Sequence, residues 1–354
     1  MSAANTNISH YSFVIRHFIQ GMSEANTTIC HSSFDTRHCF VIPNAGVTMK
    51  IAVVGAGAMG SLFGALLAES GNEVWLYDVW AEHVETINQK GLTVEREGKS
   101  RTLKIKATTD PLKIGTAELV IIFVKSTHTA SAAETASGLA GSDGVVMTLQ
   151  NGMGNADILS ESINPDRVLA GTTSHGATML GPGSIRHAGV GATTIGAWAE
   201  TEQGRRRARS IGDAFTRIGI ETQAVDDVRS VLWNKLLINV GINAITALTA
   251  IKNGQILELD ITRELSCNAV KEAMQIARKL QITVREDAVD HVYAVAEATA
   301  ANRSSMGQDV DNQRQTEIGT INGFVVREAK RLGIQAPVNE TLAALIQTLE
   351  YHYK

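Results

Sequence analysis

The chain has 354 residues, 44% of them hydrophobic and 19% charged, with a formal net charge of −4. That length allows two domains with substantial cores, and the balance is that of a globular protein rather than a disordered one. A near-neutral charge without a strong basic run excludes a nucleic-acid-binding stripe, so Arg205, Arg206, Arg207 and Arg209 read as the solvated face of a helix.

Three cysteines (Cys30, Cys39, Cys267) show neither disulfide pairing nor zinc-ligand spacing, which points to a reducing, cytoplasmic setting and no metal site. Residues 1–48 stand apart: rich in Ser, Thr, Asn and His, poor in acids, without helical periodicity or the apolar core of a secretory signal. They read as a disordered extension or an over-long start. With no uninterrupted apolar run of about 20 residues, no transmembrane helix is predicted.

Lys50 to Val54 reads as a short buried strand running into Gly55-Ala-Gly-Ala-Met-Gly60, a GxGxxG pattern. Ser61 to Ser70 reads as a helix, Gly71 punctuates it, and Glu73 to Asp78 reads as the next strand. The spacing has a physical cause. Gly55 permits a tight turn, Gly57 lets backbone approach a pyrophosphate, and Gly60 lets the helix pack on the strand. The helix N-terminus then faces the phosphates. Gly55, Ala56, Gly57, Ala58, Met59 and Gly60 are therefore the expected dinucleotide loop. An acid about 20 residues past the glycines accepts hydrogen bonds from ribose hydroxyls and repels a 2′-phosphate, so Asp78 favours NADH over NADPH. The alternative for Asp78 is a solvated residue at a strand end.

Further on, Ala81 to Lys90 reads as a helix, Gly91 to Ile105 as a pair of short strands, and Ala117 to Lys125 as a strand. Helix from Thr129 to Leu139 and strand from Gly144 to Gln150 continue the alternation, which argues a largely parallel sheet. From Arg167 three strand-like stretches are expected to extend that same sheet. Beyond Asp227 the pattern is helical, with Ile261–Gln281, Asp287–Arg303, Asp309–Gly333 and Asn339–Tyr351 as the main pieces. The predicted fold is an α/β Rossmann-type nucleotide-binding domain over residues 49–227, followed by an all-α domain over residues 228–354.

At the seam lies Trp233-Asn-Lys-Leu-Leu-Ile-Asn-Val-Gly-Ile-Asn-Ala-Ile-Thr-Ala-Leu248. Spacing of i, i+4, i+8 puts Lys235, Asn239 and Asn243 on one face of an otherwise apolar helix. Burying such groups without partners costs several kcal/mol each, so they pack against another polar element or face a ligand. A lysine ammonium in a partly dry pocket can protonate a developing alkoxide. Three more segments cluster polar residues: Asn151-Gly-Met-Gly154 at a strand's C-terminal edge, Asn302-Arg-Ser-Ser-Met-Gly-Gln-Asp309, and Thr316-Glu-Ile-Gly-Thr-Ile-Asn-Gly323. Ser305 with Gln308 could be only a capping box, and Glu317 is expected inside a helix.

These motifs, in this order behind the GxGxxG, resemble the ketopantoate reductase (2-dehydropantoate 2-reductase) family from Met49 to about Tyr351. The resemblance implies an NAD(P)H-dependent oxidoreductase that reduces ketopantoate on the way to pantothenate. It implies Lys235 as the catalytic lysine and Glu317 as the acid that organises it. Asn151 lies between nicotinamide and substrate, Asn239, Asn243 and Asn253 bind substrate, and Asn302 with Ser305 meets its carboxylate and hydroxyl. Lys125 contacts the cofactor. NADPH is the family default, from which Asp78 departs. Arg303 and Lys235 are the candidate counter-charges for the substrate carboxylate. A broader 2-oxo acid reductase of the same fold is the runner-up, and a dinucleotide sensor without chemistry is the alternative from another class. The expected partner is a small 2-oxo acid, without nucleic acid or membrane, in a possible homodimer.

Overall fold

A computed structural model describes residues 48–353. The segment 1–48, with Cys30 and Cys39, lies outside the described residues except for Thr48. The first strand, β1 (Lys50–Val54), leads through helix α1 (Ala58–Glu69) to β2 (Glu73–Tyr77) and α2 (Ala81–Lys90). A hairpin of β3 (Leu92–Arg96) and β4 (Lys99–Leu103) precedes β5 (Lys106–Thr108) and β6 (Leu119–Ile122). Helix α3 (Thr129–Ala140), β7 (Val145–Thr148), α4 (Asn155–Ser162) and β8 (Val168–Thr173) complete the alternation.

The main sheet has eight strands in the order β12-β11-β8-β7-β6-β1-β2-β5, where β11 is Thr193–Ala197 and β12 is Thr222–Val225. All neighbours are parallel except β8 with β11. Residues 51–54 are buried on both faces. Ala52 and Val54 join one core while Ile51 and Val53 join the other. This is the period of two expected of a strand covered on both sides. The order in which strands are added reverses about β1, with β2 on one side and β6 on the other, all three parallel. The crevice at the C-terminal ends of β1 and β6 is the place where open α/β sheets bind ligands.

The expectation that all strands after Arg167 extend this sheet is corrected. Strands β9 (Gly176–Gly181) and β10 (Ser184–Gly189) leave it for a second sheet of order β4-β3-β10-β9. There Ser184–Arg186 pair in parallel with Thr93–Glu95, and the Arg186 guanidinium meets Glu95 at 2.9 Å. The alternating exposure of β9 and β10 shows a strand with one buried face, but the partner lies about 90 residues upstream in sequence. Local pattern does not reveal it.

Between the two sheets, His175 Nδ1 and His187 Nε2 share one hydrogen bond of 3.2 Å. Burial and the neighbouring His187 and Arg96 charges hold the His175 imidazole at about 4. A folded-state pKa below the ordinary 6.5 means that the unfolded chain binds the proton first. Stability is therefore complete above about pH 6.5 and is lost as pH falls towards 4. The loss is on the order of 2 kcal/mol for this half-buried group. Thermal unfolding between pH 7 and 5 checks this: His175→Gln should flatten the decline in Tm, and an unchanged slope would contradict it.

Helix α5 (Glu202–Arg217) lies between β11 and β12. Arg205, Arg206 and Arg209 pair with Glu202 at the surface, as a solvated face should. Arg207 does not, since it is buried and donates to Asp166 O at 2.9 Å. The rest is helical: α6 (Val228–Thr249), α7 (Asp260–Lys279), α8 (Ala288–Ala298), α9 (Ser305–Asp311), α10 (Asn322–Leu332) and α11 (Pro337–Tyr351). Asp227 starts α6 by accepting from Ser230 N at 3.0 Å. By length and composition alone α6 would be long and apolar enough to cross a membrane, a test that the buried core helix of a globular domain also passes. Most of it is buried, and its Trp233, Leu236, Leu237 and Val240 share a core with β-strand residues such as Val54 and Ile122. Burial of each such side chain stabilises by about 1.5–3 kcal/mol.

One expected helix is broken. Instead of running from Asp309 to Gly333, the chain ends α9 at Asp311 and takes a left-handed step at Gln313 (φ 53°). It resumes at Asn322 after a 3-10 turn over Ile318–Thr320. Thr316 N donates to Glu350 Oε1 at 2.6 Å and Ile318 N to Thr316 Oγ1 at 3.1 Å, which gives the connection its own hydrogen bonds. Glu317 therefore sits in a turn, not inside a helix.

Candidate active site

The nucleotide end is built on backbone. Gly55 has φ +93° and donates to Tyr77 O at 2.8 Å. A Cβ there would stand 2.6 Å from Val124 N, so only glycine lets the loops after β1 and β6 come this close. Gly60 likewise faces Gly55 O, where no Cβ fits. Helix α1 begins after Gly57 with no side-chain cap and no acid in its first turn. Among the described residues nothing lies within 4 Å of a Cβ at Gly57. Uncapped N–H groups beside open space fit a pyrophosphate. Ala56 is buried, while Ala58 and Met59 are half-buried on the same turn.

Asp78 stands just past β2. Its Oδ2 accepts from Ala56 N at 2.6 Å and its Oδ1 from Trp80 N at 2.9 Å. A carboxylate has about four acceptor positions, so lone pairs remain beyond these bonds. Lys125, past the end of β6, forms an ion pair with Asp309 on α9. The sequence reading did not single out Asp309 except as the last letter of a motif.

The chemical end converges from three segments. Lys235, on α6, donates to Thr173 O at the end of β8 (3.2 Å). Burial pulls its pKa down to about 8, against the opposing charge of Glu317. Glu317 Oε2 in turn accepts from Asn151 Nδ2 at 3.2 Å. Burial pushes the Glu317 carboxyl up, while Lys125, the Asn151 bond and Lys235 hold it back. Asn151 is placed by the loop after β7, where Gly152 packs on Thr320 and Met153 N donates to Thr320 O at 2.9 Å. Thr320 Oγ1 also bonds Ser126 Oγ at 3.1 Å, tying the turn that carries Glu317 to the sheet. Thr173 contributes only a carbonyl, for which side-chain pattern offers no signal.

Asn239 is half-buried and Asn243 buried on the Lys235 face. Asn234, one residue before Lys235, is by contrast satisfied: it donates to Ser230 O and accepts from Arg285 N. Asn253 is buried, with Nδ2 on Thr299 Oγ1 at 2.9 Å and Oδ1 without a partner among the described residues. Its backbone N donates to Asn302 O at 3.0 Å, so these two asparagines are neighbours. The Asn302 and Ser305 side chains are exposed.

Two expectations in this segment are corrected. Ser304 and not Ser305 caps α9, accepting from Gly307 N at 3.0 Å, and Gln308 turns back to Arg303 O. Arg303 is unsuited to hold a substrate carboxylate. Its guanidinium is committed to Asp311 at 2.8 Å, to Ile251 O at 2.9 Å and to Thr246 O. It fastens the C-terminal end of α6, which leaves Lys235 as the remaining candidate.

A sequence model described as Ketopantoate reductase PanE/ApbA matches residues 51–200, and one described as Ketopantoate reductase PanE/ApbA C terminal matches residues 227–350. The 2-dehydropantoate 2-reductase of Halobacterium salinarum is 39% identical over 300 residues, covering 84% of this chain and 98% of that one. A PanE/ApbA family ketopantoate reductase of Ralstonia eutropha JMP134 superposes with a TM-score of 0.78 at 32% identity, over 86% of this chain and 99% of that chain. D-mandelate dehydrogenase, solved with NADH and anilino(oxo)acetate, gives a TM-score of 0.80 at 28% identity, over 86% of this chain and 98% of that chain.

Proposed function

The chain belongs to the ketopantoate reductase PanE/ApbA family, and from that premise we propose that it reduces 2-dehydropantoate to (R)-pantoate with Lys235 as the proton donor. The observation that carries this reading is the Lys235–Glu317–Asn151 group at the end of the nucleotide-binding sheet. On this reading residues 49–227 hold the nucleotide and residues 228–354 supply the lysine.

A bound nicotinamide would supply the hydride for the substrate carbonyl. The chain's own residues do the rest. With a pKa of about 8, Lys235 is mostly an ammonium near neutral pH. It can stabilise the oxygen on which negative charge develops and then give it a proton. Thr173 O holds the ammonium in place. Glu317 keeps Lys235 charged, and Asn151 fixes the Glu317 carboxylate. Asn239 and Asn243 extend the polar face, while Asn253, Asn302 and Ser305 form the far wall of the substrate site. Neutral amides and hydroxyls suit a small hydroxylated acid, because they bind oxygen functions without fixed counter-charge.

For the cofactor, Asp78 supports NADH: its remaining lone pairs suit ribose hydroxyls, and its charge repels a 2′-phosphate. Lys125 is assigned to the cofactor side, exchanging its contact with Asp309 for the ligand. The expected ratio of kcat/KM favours NADH, and Asp78→Ser should shift it towards NADPH by about tenfold. A native preference for NADPH would end the Asp78 argument and leave the reaction unchanged.

A second reading, reduction of other branched or aryl 2-oxo acids, is favoured by the likeness to D-mandelate dehydrogenase. Initial rates with 2-dehydropantoate and 2-oxoisovalerate separate the two. A higher kcat/KM for 2-dehydropantoate supports the proposal, and a preference for 2-oxoisovalerate rejects it.

A further inference from the structure

His83, on α2, is wholly buried and takes no part in the chemistry above. Gly183 N, in the turn between β9 and β10, donates to its Nδ1 at 3.0 Å. Nδ1 is therefore without a proton, and the neutral ring carries its hydrogen on Nε2. That atom lies 3.3 Å from Ser61 Oγ. The Ser61 hydroxyl hydrogen is directed to Ala56 O at 2.7 Å, which leaves the oxygen free to accept from His83. The relay thus runs Gly183 N–H to His83, His83 to Ser61, and Ser61 to Ala56 O.

The Ala56 carbonyl belongs to the peptide that also carries the Gly57 N–H. A peptide unit is planar and trans, so its C=O and N–H point in opposite directions. Holding Ala56 O against Ser61 aims the Gly57 N–H away from Ser61, and Gly57 is itself exposed. The preceding peptide is fixed independently, by Ala56 N on Asp78 Oδ2 at 2.6 Å. Trp80 lies flat on the imidazole, with ring centroids 5.1 Å apart and planes at 12°, and its backbone N–H donates to Asp78 Oδ1. His83 is thereby the inner support shared by the glycine loop and the loop that follows β2.

We propose that His83 is a positioning residue of the dinucleotide site, acting through Ser61 to orient the Ala56–Gly57 peptide towards the pyrophosphate. Burial keeps the imidazole below its ordinary pKa, against the pull of Asp78, so the ring stays in the neutral form that the relay needs. This inference rests on the dinucleotide reading of the preceding subsection. A merely structural histidine would anchor Gly183 and fill the core, with no consequence specific to the cofactor.

The test measures NADH and NADPH affinity by calorimetry for the full chain and for Ser61→Ala, His83→Asn, His83→Gln and the Ser61→Ala/His83→Asn pair. Asparagine keeps an acceptor for Gly183 N but cannot reach Ser61, and the longer glutamine places an amide N–H near the Nε2 position. Ser61→Ala and His83→Asn should each weaken dinucleotide binding about tenfold, the loss of one hydrogen bond. The pair should lose no more than either alone, because one relay is cut twice. His83→Gln should recover part of the affinity, and kcat at saturating cofactor should change by less than about twofold. Should His83→Asn fail to fold, Ser61→Ala decides alone, since alanine suits a helix interior. Unchanged affinity in a folded Ser61→Ala variant would overturn the proposal, as would an equal fall in kcat. If the unaltered chain bound neither dinucleotide, the functional reading itself would fall, and the inference with it.

Discussion

Lys235→Ala is expected to lower turnover of 2-dehydropantoate by about 10²–10⁴-fold, the usual worth of a positioned general acid, while dinucleotide affinity stays within about twofold. The reason is positional. Lys235 lies on α6 and donates to Thr173 O, whereas the glycine loop lies past β1 and is supported by Asp78 and Ser61. The variant should also fold. Lys235 is half-buried and its ammonium makes one hydrogen bond, while the apolar residues around it on α6 supply the packing. Removing a desolvated charge offsets part of what the lost contacts contribute. Steady-state rates with saturating cofactor check the expectation. Turnover within threefold of the unaltered chain would remove Lys235 from the mechanism.

Gly57→Ala is expected to fold normally and yet weaken NADH and NADPH binding by roughly 100-fold, a change of about 2.7 kcal/mol. The backbone at Gly57 has a negative φ of −59°, outside the left-handed region that favours glycine. Its Cβ would meet no atom within 4 Å. Nothing among the described residues opposes the methyl group, so its cost falls on the ligand, whose phosphates need close approach to backbone there. Gly60→Ala is the contrasting case, because its Cβ would collide with Gly55 O and disturb the loop before any ligand arrives. Unfolding temperature and dinucleotide affinity, measured together, separate the two. A Gly57→Ala chain that binds with unaltered affinity would place the pyrophosphate elsewhere.

Much of this site could be read in the sequence because its parts are local. The strand–glycine–helix unit is written in consecutive residues, and the i, i+4, i+8 recurrence of Lys235, Asn239 and Asn243 survives intact on α6. Glu317 was legible as a residue but not as a place. A helical pattern hid the left-handed step at Gln313 and the bond from Thr316 N to Glu350, which together open the turn that presents it. Contacts at long sequence separation were invisible. The pairing of β10 with β3, the Lys125–Asp309 ion pair and the support of Lys235 by Thr173 O each join segments with no shared local pattern. Arg303 was misread for the same reason, since its partners Thr246 O, Ile251 O and Asp311 are assembled only by the fold.

The most direct measurement is kcat/KM for 2-dehydropantoate from pH 6 to 10 with saturating dinucleotide, which reports the groups of the enzyme before substrate binds. A general acid works only while protonated. The Lys235 pKa of about 8 therefore requires a level rate near neutral pH and a fall as pH rises through that value. The fall should approach tenfold per pH unit, and Lys235→Ala should abolish the step. A rate that stays level past pH 9, or no oxidation of NADH or NADPH when 2-dehydropantoate is added, would contradict the central claim.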